Sequence, residues 1–277
     1  MYRTYLFAPG DSARKITSAF QSQADVVILD LEDSVALSQK EAARKVLLET
    51  VGNLQKNQFL QKPFYVRCNS AQSTFIEDDL SAIKVLCPNG IMVPKFESDD
   101  DAKAITTAAP KMEIFPLIES VAGIRYLQKS TFVSPQIKRV AFGAVDYALD
   151  LGADWSISGE ERKLAMSEIV FYSRALNLES PVDAVFPELN NSAAFADDVI
   201  AGKQLGFFGK MIIHPKQIES VLEAYCVSDS QYSWSLRVIE KYEANADSGA
   251  MELDGKLIDF PIYQKAKRII SSRTPRQ

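Results

Sequence analysis

One histidine, His214, and three cysteines, Cys68, Cys87 and Cys226, are all that 277 residues hold of those two types. A single imidazole leaves little material for a histidine-built zinc site or a Ser-His-Asp triad. The cysteines form no CxxC pair, and their odd number suits a reducing compartment better than a disulfide framework. No apolar run approaches the ~18 residues of a membrane-crossing helix, and the opening MYRTYLFAPG lacks the succession of segments that marks a secretory signal. Basic blocks are missing too: at a net charge of −5 the lysines and arginines are scattered, which argues against nucleic acid or a membrane surface as partner. The expectation is a cytoplasmic protein with a small-molecule ligand. An anionic ligand would need a local basic pocket.

What is present is a 47% apolar chain long enough to bury a full core, at the size of a single-domain (β/α) barrel. Eight short apolar runs recur, each closed by polar or turn residues: TYLFAPG, DVVILDLEDS, PFYVRCNS, GIMVPKFES, EIFPLIES, RVAFGAVD, PVDAVF and KMIIHPKQ. Eight is the strand count of a closed (β/α)8 TIM barrel. Segments between them carry helical periodicity, as in Ser38–Thr50 with Ala42, Val46 and Leu47 apolar. An open doubly wound sheet is the alternative, but LFAPGD has one glycine where its phosphate loop needs three. Pro94 and Pro116 are expected beside strand ends, and the stretch Gly206–Lys210 is expected to turn the chain into the last strand.

Chemistry in such a barrel collects where the strands end, so the residues closing each run are the candidates. They are Asp30, Glu32, Asp33, Arg67, Asn69, Lys95, Glu119, Asp146 and His214. Glu119 and Asp146 close consecutive strands and either cap the helices that follow or hold a Mg²⁺ with hard oxygen ligands. Arg67 offers a planar fork for a substrate carboxylate, and Asp30, Glu32 or Asp33 are its natural orienting partners. Lys95 either holds anionic substrate or pairs with Glu119. His214 is expected to hydrogen-bond backbone rather than ionise in turnover.

The stretches LFAPGDSARK, DVVILDLEDSVALSQKEAAR, YVRCN, GIMVPKFES, IFPLIES, AFGAVDYALDLG and GKMIIHPKQI, in that order over roughly residues 3–220, resemble the citrate lyase β-subunit-like family, which includes malyl-CoA and citramalyl-CoA lyases. The resemblance implies a TIM barrel, Mg²⁺ held by Glu119 and Asp146, a substrate carboxylate bound by Arg67, and an acyl-CoA ligand with Arg14 and Lys15 as phosphate contacts. Cys68 stands where the family's arginine motif usually has an apolar residue. The stretch VDAVFPELNN departs from the family pattern, so Asp183 receives no catalytic role.

A further match, GAMELDGKLIDFPIYQKAKRII, follows a polar helical stretch. From the residues alone, LDGK is a hairpin turn, Pro261 starts a helix, and Asp259 caps it. The resemblance makes residues 226–277 a lid over a neighbouring subunit, beside a 1–225 barrel, in a homotrimer or a pair of trimers, with Asp259 as proton donor. The activity implied is Mg²⁺-dependent carbon–carbon cleavage of a 3-hydroxy-3-carboxyacyl-CoA, with (S)-citramalyl-CoA the leading substrate because stand-alone members act in itaconate breakdown. Glu32, Asp33 and a water on the metal stand open as acceptors of the hydroxyl proton. Citryl-CoA or malyl-CoA cleavage, malyl-CoA thioester hydrolysis and a non-catalytic binding role are the alternatives.

Overall fold

The computed structural model describes residues 2–131, 134–245 and 249–272. Its contacts divide the chain into two compact units, residues 2–224 and residues 225–277 together with Met1. In the larger unit seven strands, β1 (Thr4–Pro9), β2 (Val26–Asp30), β3 (Phe64–Arg67), β4 (Gly90–Val93), β5 (Glu113–Ile118), β6 (Ala141–Phe142) and β7 (Lys210–Ile212), form one parallel sheet in the order β6-β5-β4-β3-β2-β1-β7. The seventh expected run, PVDAVF, forms no regular strand but bridges both open edges, Ala141 with Val182 and Asp183 with Lys210. Each of the eight runs therefore pairs on two sides, with helices between them in sequence.

Strand pleating sends alternate side chains inward. Tyr5, Val26 and Ile28, Tyr65, Met92, Phe115 and Leu117, Ala141, Val182 and Met211 form one buried cluster, with Phe7 and Val185 packed against it. Two residues further along each strand, the same inward positions read Asp30, Arg67, Glu119, Gly143 and Ile213. The apolar core and the charged closers are thus successive layers of one alternation.

Two expectations need correcting. Pro116 lies inside β5 and pairs with Val93. Ile114 and Ile118 bond toward the β6 side, to Gln136 and Gly143, so alternation puts Pro116 there too, where pairing is interrupted between Ile137 and Ala141 and its missing N–H costs little. The helix expected from Ser38 opens as a 3-10 turn, Leu37–Gln39, and is α-helical over Lys40–Lys56. Gly206 (φ 113°) and Gly209 (φ 91°) take left-handed conformations where the chain enters β7.

The irregular seventh run is held by charge. Lys210 is buried, with Nζ 2.6 Å from both Asp183 Oδ2 and Asp198 Oδ2, and Arg162 Nη2 is 2.9 Å from Asp198 Oδ1. These pairs tie helices Lys163–Ala175 and Ser192–Leu205 to the seam.

In the smaller unit, helix Asp229–Glu243 packs with helix Phe260–Ser272, and a hairpin, β8 (Met251–Leu253) and β9 (Lys256–Ile258), turns through Asp254 (φ 54°) and Gly255 (φ 72°). Val238, Ile258 and Ala266 are its buried core. Among the described residues no helix is long and apolar enough to cross a membrane, and the three cysteines are free thiols.

Removing the Lys210 cation leaves the buried Asp183 carboxylate uncompensated, while Asp198 keeps Arg162. Lys210→Met should lower unfolding free energy by about 3–5 kcal/mol in urea titrations; a loss under ~1 kcal/mol would mean that the seam does not depend on this pair.

Candidate active site

The layer above the apolar core opens into a cavity of about 430 Å³, lined by Asp30, Asp33, Ser34, Arg67, Glu119 and Asp146 together with apolar groups from β1, β5, β7 and Val185. Asp30 and Arg67 are Cα partners across β2 and β3. Arg67 donates from Nε to Asp30 Oδ1 and from Nη2 to Asp30 Oδ2, both at 2.7 Å, and its plane lies over the Phe7 ring at 5.0 Å. Burial alone would raise the Asp30 carboxyl. The Arg67 charge, the Arg67 hydrogen bonds and those from Ser34 and Glu32 outweigh it and hold the group below the ordinary carboxylate range. Arg67 thus ionises with its fork fixed. Two of its five N–H groups serve Asp30, and those on the cavity side remain for a ligand.

Glu32 is buried beside this pair. Arg67 Nη1 stands 3.0 Å from Glu32 Oε2, yet that oxygen accepts no hydrogen bond, so proximity of charge is its compensation. Burial, against Arg67's opposing charge and with the charges of Asp33 and Asp30 adding to it, pushes Glu32 up to about 7. Asp33 stands more exposed, 3.9 Å from the same guanidinium. The turn carrying both acids is clamped by Lys40, whose buried Nζ donates to the carbonyls of Leu31 and Glu32 at 2.7 Å each. The sequence offered no signal for this lysine, because helical periodicity assigns it to the solvent face.

Glu119 points inward from the end of β5, where Oε1 accepts from the Lys95 N–H at 2.7 Å. It does not cap the following helix; Ser120 does, accepting from Gly123 at 3.0 Å. Asp146 occupies the first turn of helix Ala144–Leu151. Burial, then the charges of Glu32 and Asp146, pushes Glu119 up to about 8, and burial followed by the charge of Asp33 raises Asp146. Gly143 makes room for this arrangement, since a Cβ there would stand 2.6 Å from Glu119 Oε2.

The remaining candidates fall into other roles. Lys95 takes φ 50°, and its Nζ lies 3.8 Å from Glu32 Oε1, so its side chain pairs with Glu32 and only its backbone with Glu119. Asn69 donates to Leu31 O and Asp79 Oδ2 and is a buried brace. His214 opens the 3-10 turn Pro215–Gln217, with Nδ1 accepting from Lys216. Arg14 and Lys15 are exposed in the first turn of helix Ala13–Gln21, just past β1. Asp259 lies in the smaller unit, where Oδ1 accepts from Ile262 as a helix cap.

Hard oxygen donors that raise one another's proton affinity, next to a buried carboxylate oxygen without a donor, fit a divalent cation. Glu119 and Asp146 would hold it. No group of three His, Cys, Asp or Glu placed to hold a metal ion occurs among the described residues.

An α/β barrel with a carboxylate pair and an oriented arginine at the ends of its parallel strands defines a class suited to small oxygen-rich acids. Residues 3–215 match the HpcH/HpaI aldolase/citrate lyase family and residues 161–272 the C-C bond lyases of the TIM-barrel fold; the chain belongs to the HpcH/HpaI aldolase/citrate lyase family. It is 30% identical to the citrate lyase subunit beta of Escherichia coli K12, over 97% of this chain and 92% of that one. It is 26% identical to the human mitochondrial citramalyl-CoA lyase, over 98% and 85%. The CitE protein of Mycobacterium tuberculosis, solved in complex with magnesium, acetoacetate and coenzyme A, matches with a TM-score of 0.80 at 27% identity, covering 98% of this chain and 97% of that one.

A metal ligand must be deprotonated, so if Glu119 holds the cation, the burial and acid neighbours that push its carboxyl up to about 8 set a proton against the metal. Mg²⁺ binding therefore competes with a proton below that value. Affinity measured by calorimetry should fall about tenfold per pH unit below pH 8, with close to one proton released. An affinity flat between pH 6 and 8 would contradict this.

Proposed function

We propose that the protein is a Mg²⁺-dependent carbon–carbon lyase that splits a 3-hydroxy-3-carboxyacyl-CoA, (S)-citramalyl-CoA first, into acetyl-CoA and a 2-oxo acid, here pyruvate. The observation that carries this reading is the inward Glu119 beside Asp146, facing an Arg67 fork already fixed by Asp30. Glu119 and Asp146 would hold Mg²⁺, which would supply Lewis-acid stabilisation of the charge developing on the substrate's oxygens. Arg67 grips that carboxylate with the N–H groups that Asp30 leaves, fixing the breaking bond against the thioester carbonyl. Glu32, poised near 7, takes the hydroxyl proton, in preference to the more exposed Asp33. The electron pair left on oxygen becomes the new carbonyl, the carbon–carbon pair passes to the thioester α-carbon as an enolate, and a proton from Asp259 closes the step.

Asp259 comes from the smaller unit of a neighbouring copy, so the working form is a homotrimer or hexamer in which residues 226–277 act as a lid. Arg14 and Lys15 meet phosphates of the CoA moiety at the helix start beyond β1, where the helix dipole adds to their charge. Lys95 screens the acids at the rim. The setting is cytoplasmic, in a breakdown route for a branched hydroxy acid such as that of itaconate.

The test is an assay of the purified protein with Mg²⁺ against citramalyl-CoA, malyl-CoA and citryl-CoA, reading 2-oxo acids through coupled dehydrogenases. Pyruvate from citramalyl-CoA should appear, vanish with EDTA, and fall on the order of 10²–10³-fold in Asp146→Asn. Thiol release without a 2-oxo acid would identify a thioesterase instead, and silence on all three would remove the lyase reading.

A further inference from the structure

The wall of the cavity is chemically divided around the barrel. Going round the ring, β2 and β3 contribute Asp30, Asp33, Ser34 and Arg67, and the ends of β5 and β6 contribute Glu119 and Asp146. The arc that follows, the 182–185 run and the end of β7, contributes Val185, Met211 and Ile213, with no charged side chain among them, while Phe7 of β1, next along, lies under the Arg67 guanidinium at 5.0 Å. In a ring of eight runs the 182–185 run lies across from β3, the strand that carries Arg67, and β7 across from β4.

Backbone donors at the top of the arc are engaged as well. Ala184 N–H bonds Asp183 Oδ1 at 2.8 Å, and Gly10 N–H bonds Asp30 O at 2.8 Å. The N–H groups of Ile213 and His214 both donate to Gln217 Oε1, at 3.0 and 3.2 Å. Gln217 is buried and donates in turn to Phe186 O, so it is fixed in this position. His214 is turned into its own cap toward Lys216 and does not line the cavity.

Resting on the lyase reading, we infer that the arc of Val185, Met211 and Ile213 determines specificity: it receives the third substituent of the hydroxyl-bearing carbon, and that substituent is small and uncharged. A substrate held through one carboxylate by Arg67, with its hydroxyl toward Glu119 and Asp146, has only this arc left for its remaining group. A methyl group is buried there against apolar surface. A second free carboxylate would be desolvated there with no basic side chain on the arc to meet it, in a cavity lined by four carboxylates and one guanidinium. Citryl thioesters carry such a carboxylate, whereas citramalyl thioesters do not.

The 2-oxo acid product bears the same substituent, which gives a binding measurement that does not depend on turnover. With the Mg²⁺-loaded protein, calorimetry should show pyruvate binding at least about 100-fold more tightly than oxaloacetate, and kcat/KM for citramalyl-CoA should exceed that for citryl-CoA by a similar factor. Val185→Lys, which places a cation on the arc with a stem long enough to keep its charge in water, should narrow both ratios at least tenfold; circular dichroism reports whether the variant folds. Oxaloacetate binding as tight as pyruvate, or equal turnover of the two thioesters, would overturn the inference. Absence of cleavage with the pyruvate preference intact would instead sink the lyase reading and leave the arc's selectivity standing. Val185→Lys that folds without changing either ratio would show that the arc does not meet the substituent.

Discussion

The Asp30–Arg67 pair is the constraint on which the site depends. Two hydrogen bonds at 2.7 Å lock a guanidinium and a carboxylate on partner residues of adjacent strands, above a floor that is wholly apolar. Every other charge is placed relative to that lock. Glu32 leans on the remaining face of the guanidinium, Asp33 stands beyond it, and Glu119 and Asp146 gather on the far strands with an excess of negative charge that one arginine does not neutralise. Carboxylates so crowded persist because they retain protons or meet a cation. Burial, with this crowding added to it, raises Glu119 and Glu32; on the proposed reading the same setting would take a divalent ion and provide a base near neutrality.

Much of this was legible in the sequence because the barrel repeats one rule. Alternation that buries Ile28, Tyr65 and Leu117 also delivers Asp30, Arg67 and Glu119 to the inside, so the residue closing each apolar run marks the site without any contact being known. Asp146, expected to close its strand, lies instead in the first turn of the helix after β6, four residues beyond the strand end, yet still lines the cavity. The rule failed where the closing residue serves the scaffold: Asn69 braces the turn after β2, and His214 caps its own helical turn.

What stayed hidden depends on pairings distant in sequence. Lys40 reads as a solvent-facing helix residue, yet it reaches back to clamp the turn of Glu32 and Asp33. Gly143 looks like an ordinary helix cap, while its missing Cβ is what admits the Glu119 carboxylate. Gln217 accepts from the N–H groups of both Ile213 and His214, and nothing in IIHPKQ announces it. The irregular seventh run is held by Lys210 between Asp183 and Asp198 rather than by a ladder, which local propensity has no means of expressing.

The central claim is that the acids at the barrel mouth form a cation site whose ligands are Glu119 and Asp146. Crystals grown with Mn²⁺, a heavier stand-in for Mg²⁺ with the same preference for carboxylate and water oxygens, would reveal it through anomalous scattering. The account predicts one strong peak within bonding distance of both carboxylates, with Arg67 still locked on Asp30. A peak on other residues, or none at millimolar Mn²⁺, would contradict it.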